Sequence, residues 1–268
     1  MFLESIFVTR GGFWGEEYDF KLLFAAVAIF ICILDYKWKK RRDYLWVFLT
    51  GFIFWSSIEL VLQLAGIREM PNRYLFGIEI PFWLAIPIQG MAEGVSVGVV
   101  GLFITDLYLD KETRKYSYMV FALIVVLLFL IMFSHGIYTP NVGGEVPSRR
   151  EVFPIWEVLI FILSAPAIYW FIKADNKIKR RAFSMFLVMF LLGSIWYLFY
   201  WLSGQRWVEI GTQNPDGSYS NLRRAEPIIE FLVMLYNAVV EIALIYMMFL
   251  AIPYLLHLIE TENLEKKI

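Results

Sequence analysis

The sequence predicts an all-α polytopic membrane protein: a bundle of seven transmembrane helices, N-terminus outside and C-terminus cytoplasmic, filling residues 1–268 as one domain. Three observations carry this. The chain is 59% hydrophobic and 18% aromatic, with a mean hydropathy of +0.61, whereas soluble domains run nearer about 45–50% apolar. Seven apolar segments can be drawn along it, and nearly all reach the roughly 20 residues that cross a bilayer at about 1.5 Å per residue. Basic residues also alternate in density from one connection to the next, which sets orientation.

The first segment, 20–36, becomes long enough when flanking residues join it. Ahead of it, MFLESIFVTRGGFWGEEYDF carries acids and no basic n-region, so no cleavable signal peptide is expected and the first span directs insertion. The second segment, 44–66, places Ser56, Glu59 and Gln63 on one helical face by their spacings of three and four. The third, 80–106, is the centre of the design. Gln89, Glu93 and Ser96 share a face, and Gly90, Gly94 and Gly98 recur every fourth residue, which lets a neighbouring backbone approach closely. Such a polar, glycine-rich span belongs inside the bundle. The fourth, 116–135, has nothing polar between Ser117 and Ser134 and reads as lipid-facing.

The fifth segment, 153–173, carries Glu157 and Ser164 seven apart, with Pro166 as a kink; Pro87 has the same role in the third. The sixth, 182–203, brings Trp196, Tyr197, Tyr200 and Trp201. The seventh, 227–256, carries Glu230, Asn237 and Glu241 on one face. All seven should be helices, because open strand edges would leave backbone groups unsatisfied in lipid.

Fifteen lysines and arginines fall in connections 37–42, 111–115, 173–181 and 266–267; nine (Arg10, Lys21, Arg68, Arg73, Arg149, Arg150, Arg206, Arg223, Arg224) fall in the alternate, longer ones. The denser set is expected in the cytoplasm, and the plasma membrane is the expected location. Outside, residues 204–226 flank Asn-Pro-Asp-Gly with alternating runs, either a β-hairpin over the outer mouth of the bundle or a plain exposed loop.

Several functions are excluded. A net charge of −1 from 24 basic and 25 acidic residues argues against a nucleic-acid partner. Cys32 is the one cysteine, so no internal disulfide or cysteine metal site forms. The last span has no lysine for retinal, no span holds a histidine cluster, and no Ser/His/Asp set or nucleotide-binding glycine loop is present. No metal site is expected, and the sequence identifies no particular cofactor.

What remains is a set of intramembrane acids. A carboxylate at a helix centre costs about 2.5–3.5 kcal/mol on insertion scales. Glu59, Glu93 and Glu241 are the three deepest, and no Lys, Arg or His lies deep inside a span beside them. They are expected to be protonated, to share protons with one another or with Gln63, Gln89 and Asn237, or to bind a cation; interhelical glue is the plainer alternative. The acids and amides map to a cavity narrowing inward from the outer face, with Glu93 and Glu241 at its floor. Trp55, Trp83, Trp156, Trp196, Tyr197, Tyr200, Trp201 and Tyr236 are candidate walls, with an interfacial aromatic belt as the alternative for those near span ends. Glu157, Glu230, Asp35 and Asp106 are expected to be solvated.

The run Trp55-Ser56-Ser57-Ile58-Glu59, a glutamate shortly after a tryptophan in the second span, resembles in outline the integral-membrane terpene cyclases. No residue roles are transferred on it. Three functions fit the acids and aromatic walls. The first is an enzyme or binding protein for an apolar lipid or isoprenoid, with Glu93 and Glu59 as acid catalysts and Glu241 as partner. The second is a proton- or cation-coupled transporter loading its ion on the same acids. The third is a sensor or receptor, or a subunit of a membrane complex, that signals through a partner on the basic loops. Membrane lipids, an apolar small molecule and another membrane protein or a second copy are the expected partners.

Overall fold

The computed structural model describes residues 6–12, 16–70, 72–145, 148–152, 162, 165, 168–214 and 219–259. It is mostly helical, 68%, with a sizable sheet. In chain order the elements are β1 (Ile6–Gly11), α1 (Tyr18–Lys39), α2 (Asp43–Leu64), β2 (Arg68–Glu69), β3 (Tyr74–Leu75), β4 (Ile78–Glu79) and α3 (Phe82–Gln89). A π-helical segment, Gly90–Ser96, joins α3 to α4 (Val97–Leu109), and α5 (Arg114–Phe133), β5 (Ser148–Val152) and α6 (Asn176–Leu202) follow. The chain then forms β6 (Trp207–Gln213), β7 (Tyr219–Arg224) and α7 (Pro227–Tyr236), with a second π-helical segment, Asn237–Leu244, leading into α8 (Ile245–Leu255).

Five helical stretches are long and apolar enough to cross a membrane: Asp43–Leu64, Phe82–Leu109, Arg114–Phe133, Asn176–Leu202 and Pro227–Leu255. α1 has 22 residues, with Leu23, Phe30 and Ile33 exposed on one side and Ala25, Ala28 and Cys32 buried on the other. Of the fifth expected segment, 168–173 are helical; Trp156, Glu157, Ser164 and Pro166 lie outside the described residues. α5 buries only Ser117, Leu128 and Met132 and turns the rest of its apolar surface outward. The main core lies where α2, α4, α6 and α8 meet, around Val47, Leu102, Met185, Met189 and Phe249. Gly90 makes one of its closest approaches: a Cβ there would lie 2.9 Å from the Ser56 nitrogen, so glycine is what lets α2 and the first π segment touch.

The sheet corrects the all-α expectation. Its strands run antiparallel in the order β2-β5-β1-β6-β7. β1 leads into α1, β2 follows α2, β5 follows α5, and the β6–β7 hairpin links α6 to α7. Strands from the N-terminal segment and three helix connections therefore assemble at one end of the bundle. The rule that lipid forbids open strand edges governs only the embedded segments; beyond them, extended chain pairs freely. β1 and β6 are central, with Val8, Thr9 and Arg10 buried against Trp207, Val208 and Glu209.

The opposite end of the bundle is closed by ions. Arg181 on α6, fully buried, reaches Asp106 on α4 at 2.7 Å, Asp43 on α2 at 2.9 Å and the Tyr254 hydroxyl on α8 at 2.8 Å. The Tyr44 hydroxyl donates to Asp106 at 3.0 Å, and Arg41 pairs with Asp35 at 2.7 Å. Asp35 and Asp106, expected in solvent, are thus bound into this network. Each lies one turn inside its helix end, where neighbouring helices already shut out water.

Candidate functional site

Beneath the sheet, at the sheet's end of the bundle, is a cavity of about 120 Å³. Its roof is extended chain: Thr9 from β1, and Ser148, Arg149 and Arg150 from β5, with Arg68 from β2 and Arg206 just ahead of β6. Its walls and floor come from the helices, with Phe24 (α1), Trp55 (α2), Glu93 (first π segment), Trp196, Tyr197 and Tyr200 (α6), Glu241 (second π segment) and Tyr246 (α8). Both floor carboxylates ride on π-helical segments. A π turn is rare, adds a residue to the helix and re-aims the side chains around it, and such turns recur at functional sites. Pro87, three residues before the first π segment, already withdraws one backbone donor from that helix.

The expectation that the deep acids find no cation is wrong. Arg68 reaches Glu59 at 2.7 Å and Glu93 at 3.3 Å. Arg150 reaches Glu241 at 2.6 Å and donates to Asn237 at 3.5 Å. Gln63 donates to Glu59 and accepts from Arg73 at 3.1 Å. Burial alone would lower the Arg68 and Arg150 pKa values, but the facing carboxylates outweigh it and hold both guanidiniums above their ordinary value. Lys21, fully buried with its ammonium 3.9 Å from the Tyr18 ring centroid, and Arg206 place further positive charge near Glu93.

Of the residues singled out in the sequence, Glu93, Glu241, Trp55, Trp196, Tyr197 and Tyr200 line the cavity. Glu59 and Asn237 stand one contact behind it, through Arg68 and Arg150, and Gln63 stands behind Glu59. Gln89 is fully buried, and its amide has no hydrogen-bond partner among the described residues. Tyr236 is half-buried off the cavity, and Trp83 is exposed. Glu230, expected in solvent, is buried: it accepts from Arg224 at 2.8 Å, from the Trp201 indole at 2.8 Å and from the Val208 amide at 3.3 Å. Among the described residues no three His, Cys, Asp or Glu side chains gather as metal ligands.

Sequence reasoning missed Arg68, Arg150 and Arg206 because it sought partners only inside spans. A signal was present: the nine basic residues of the sparser set include eight arginines, while lysine predominates in the other set. Arginine is the cation suited to buried, hydrogen-bonded ion pairs; lysine suffices to mark a solvated loop. In comparisons with known proteins, no family model, no curated protein and no solved structure matches this chain.

Proposed function

We propose that the chain is a seven-pass protein of the cell membrane, N-terminus outside, whose outward-side cavity binds a lipid or isoprenoid. The seven-pass reading adds α1 and segment 153–173 to the five long apolar helices. It gains support from the sheet, since strands drawn from alternate connections belong on one side of a membrane. The density of basic residues in the other connections puts that side outside. A single cysteine at residue 111 or 221, in a chain whose Cys32 is replaced, tests the orientation. An impermeant thiol reagent on intact cells should label residue 221 and leave 111 untouched.

The observation that carries the binding reading is an aromatic chamber closed by a polar roof: Trp55, Trp196, Tyr197, Tyr200 and Tyr246 surround the floor acids, and arginines cover them. Aromatic faces accept an apolar segment; convergent polar groups orient it. The acids are read as positioning groups. A Glu93 carboxylate that accepts from Arg68 presents oxygen, not a proton, to a ligand, so acid catalysis would require Arg68 to swing away. Native mass spectrometry of the full chain from mild non-ionic detergent should show a lipid or isoprenoid adduct that Trp196→Ala loses. An empty wild-type protein, or an equal adduct on the variant, refutes the reading.

One observation favours a transporter instead. Ion-pair clusters close both ends of the bundle, around Arg68 and Arg150 at the sheet and around Arg181 opposite, with two π-distorted helices between them. Two closable ends are what alternating access needs. Ion-gradient-driven uptake into proteoliposomes, abolished by Glu93→Gln, would replace the binding reading with this one.

A further inference from the structure

We propose that the cavity under the sheet is an oxyanion receptor, in which Arg206 and the Trp55 indole N–H take a phosphate or carboxylate group. This rests on the ligand-binding reading of the same cavity and specifies the ligand's polar end.

The arginines around the cavity are not equivalent. Arg68 is shared between Glu59 and Glu93, Arg150 is matched by Glu241, and Arg149 by Glu69. Arg206 has no carboxylate within ion-pair distance among the described residues. Its guanidinium lies over the rings of Tyr197 and Tyr200, at 5.2 and 5.1 Å from their centroids, and its buried Nε has no hydrogen-bond partner. On the same cavity, the Trp55 Nε1 is also buried and unpartnered, while its ring is held by stacking on Tyr246 at 6.4 Å. Buried polar groups are normally satisfied, and an exception asks for an explanation.

Both groups are donors only, so the occupant must bring acceptors. Charge points the same way: the cavity is lined by four arginines, Arg68, Arg149, Arg150 and Arg206, and by two carboxylates, Glu93 and Glu241. In a low-dielectric chamber the Arg206 guanidinium, with no carboxylate at ion-pair distance among the described residues, attracts an anion and repels a cation. Guanidinium forks match the planar and tetrahedral oxygens of carboxylate and phosphate. A volume of about 120 Å³ holds such a head and the first carbons of a chain against the aromatic walls; a longer tail has to leave the cavity.

The test is a thermal-shift titration of the full chain in dodecyl maltoside, with four probes: inorganic phosphate, acetate, dodecyl phosphate and dodecyltrimethylammonium. Saturable stabilisation by phosphate or dodecyl phosphate, and none by the ammonium, supports the site. Arg206→Gln and Trp55→Phe should each weaken that response at least tenfold. If the charge-removing variant does not fold, the indole substitution, which keeps an aromatic ring, still decides. Dodecyl phosphate saturating a hundredfold below inorganic phosphate identifies a lipid head group as the source. Equal responses identify a free anion, so the oxyanion site stands while the lipid reading falls. No anion response, or one unchanged in both variants, overturns the proposal.

Discussion

Replacing Arg68 by methionine removes the one cation lying between two acids. The Glu59 side chain is 1% exposed and the Glu93 side chain 22%, so Glu59 cannot turn to water for compensation. Stranding a buried charge by deleting its partner costs about 3–5 kcal/mol, far more than the pair contributes relative to an apolar replacement of both members. For a chain of this size each kcal/mol moves the melting temperature by roughly 2–4 °C, so the drop should be roughly 6–20 °C. Intrinsic fluorescence from the 10 tryptophans reads it directly in detergent. Adding Glu59→Gln to Arg68→Met should then recover part of the loss, because the stranded charge is gone while a side chain of the same length still meets Gln63. A single-variant shift below about 2 °C, or a double variant no better than the single, would refute the claim that Arg68 compensates Glu59.

The remaining expectations concern packing and the far end of the bundle. Arg181→Met strands Asp43 and leaves Asp106 only Arg41 at 3.5 Å and the Tyr44 hydroxyl, and should cost about 3–5 kcal/mol, read as a melting shift; Asp43→Asn in the same chain should restore part of it. Gly90→Ala drives a Cβ against the Ser56 hydroxyl and within 2.9 Å of the Ser56 nitrogen, an overpacking of about 1–3 kcal/mol visible in the same assay. Gly204→Ala meets the Tyr138 carbonyl at a φ of +68°, a left-handed conformation that alone costs an L-residue about 1 kcal/mol or more. Its yield of folded protein on size-exclusion chromatography should fall below wild type.

The five long helices were legible because apolar length is a local property, readable in a window. The placement of Glu93 and Glu241 along one cavity was approached through stripe spacing, although both residues ride on π turns that no spacing rule anticipates. The sheet was largely illegible. β1 pairs with β5 and β6, so Phe7 faces Val152 on one side and Ile210 on the other, and nothing near residue 7 encodes either partner. Only the β6–β7 pairing is local, flanking the Asn-Pro-Asp-Gly run, most of which lies outside the described residues. The arginine partners failed for a related reason: depth was assigned by position along spans, yet Arg68 and Arg150 descend from strands that fold back over the helix ends.

The pairing of acid with arginine also has an order in time. During synthesis Arg68 emerges nine residues after Glu59 and 25 before Glu93, and Arg150 emerges 91 before Glu241. Two of the three acids therefore reach the bilayer after their counter-ion has been made, and the third waits for less than three turns of nascent chain. The seam between β1 and β6 is different, since Arg10 must wait 199 residues for Glu209. Until the ribosome has delivered that stretch, the β1–β6 seam of the roof cannot form.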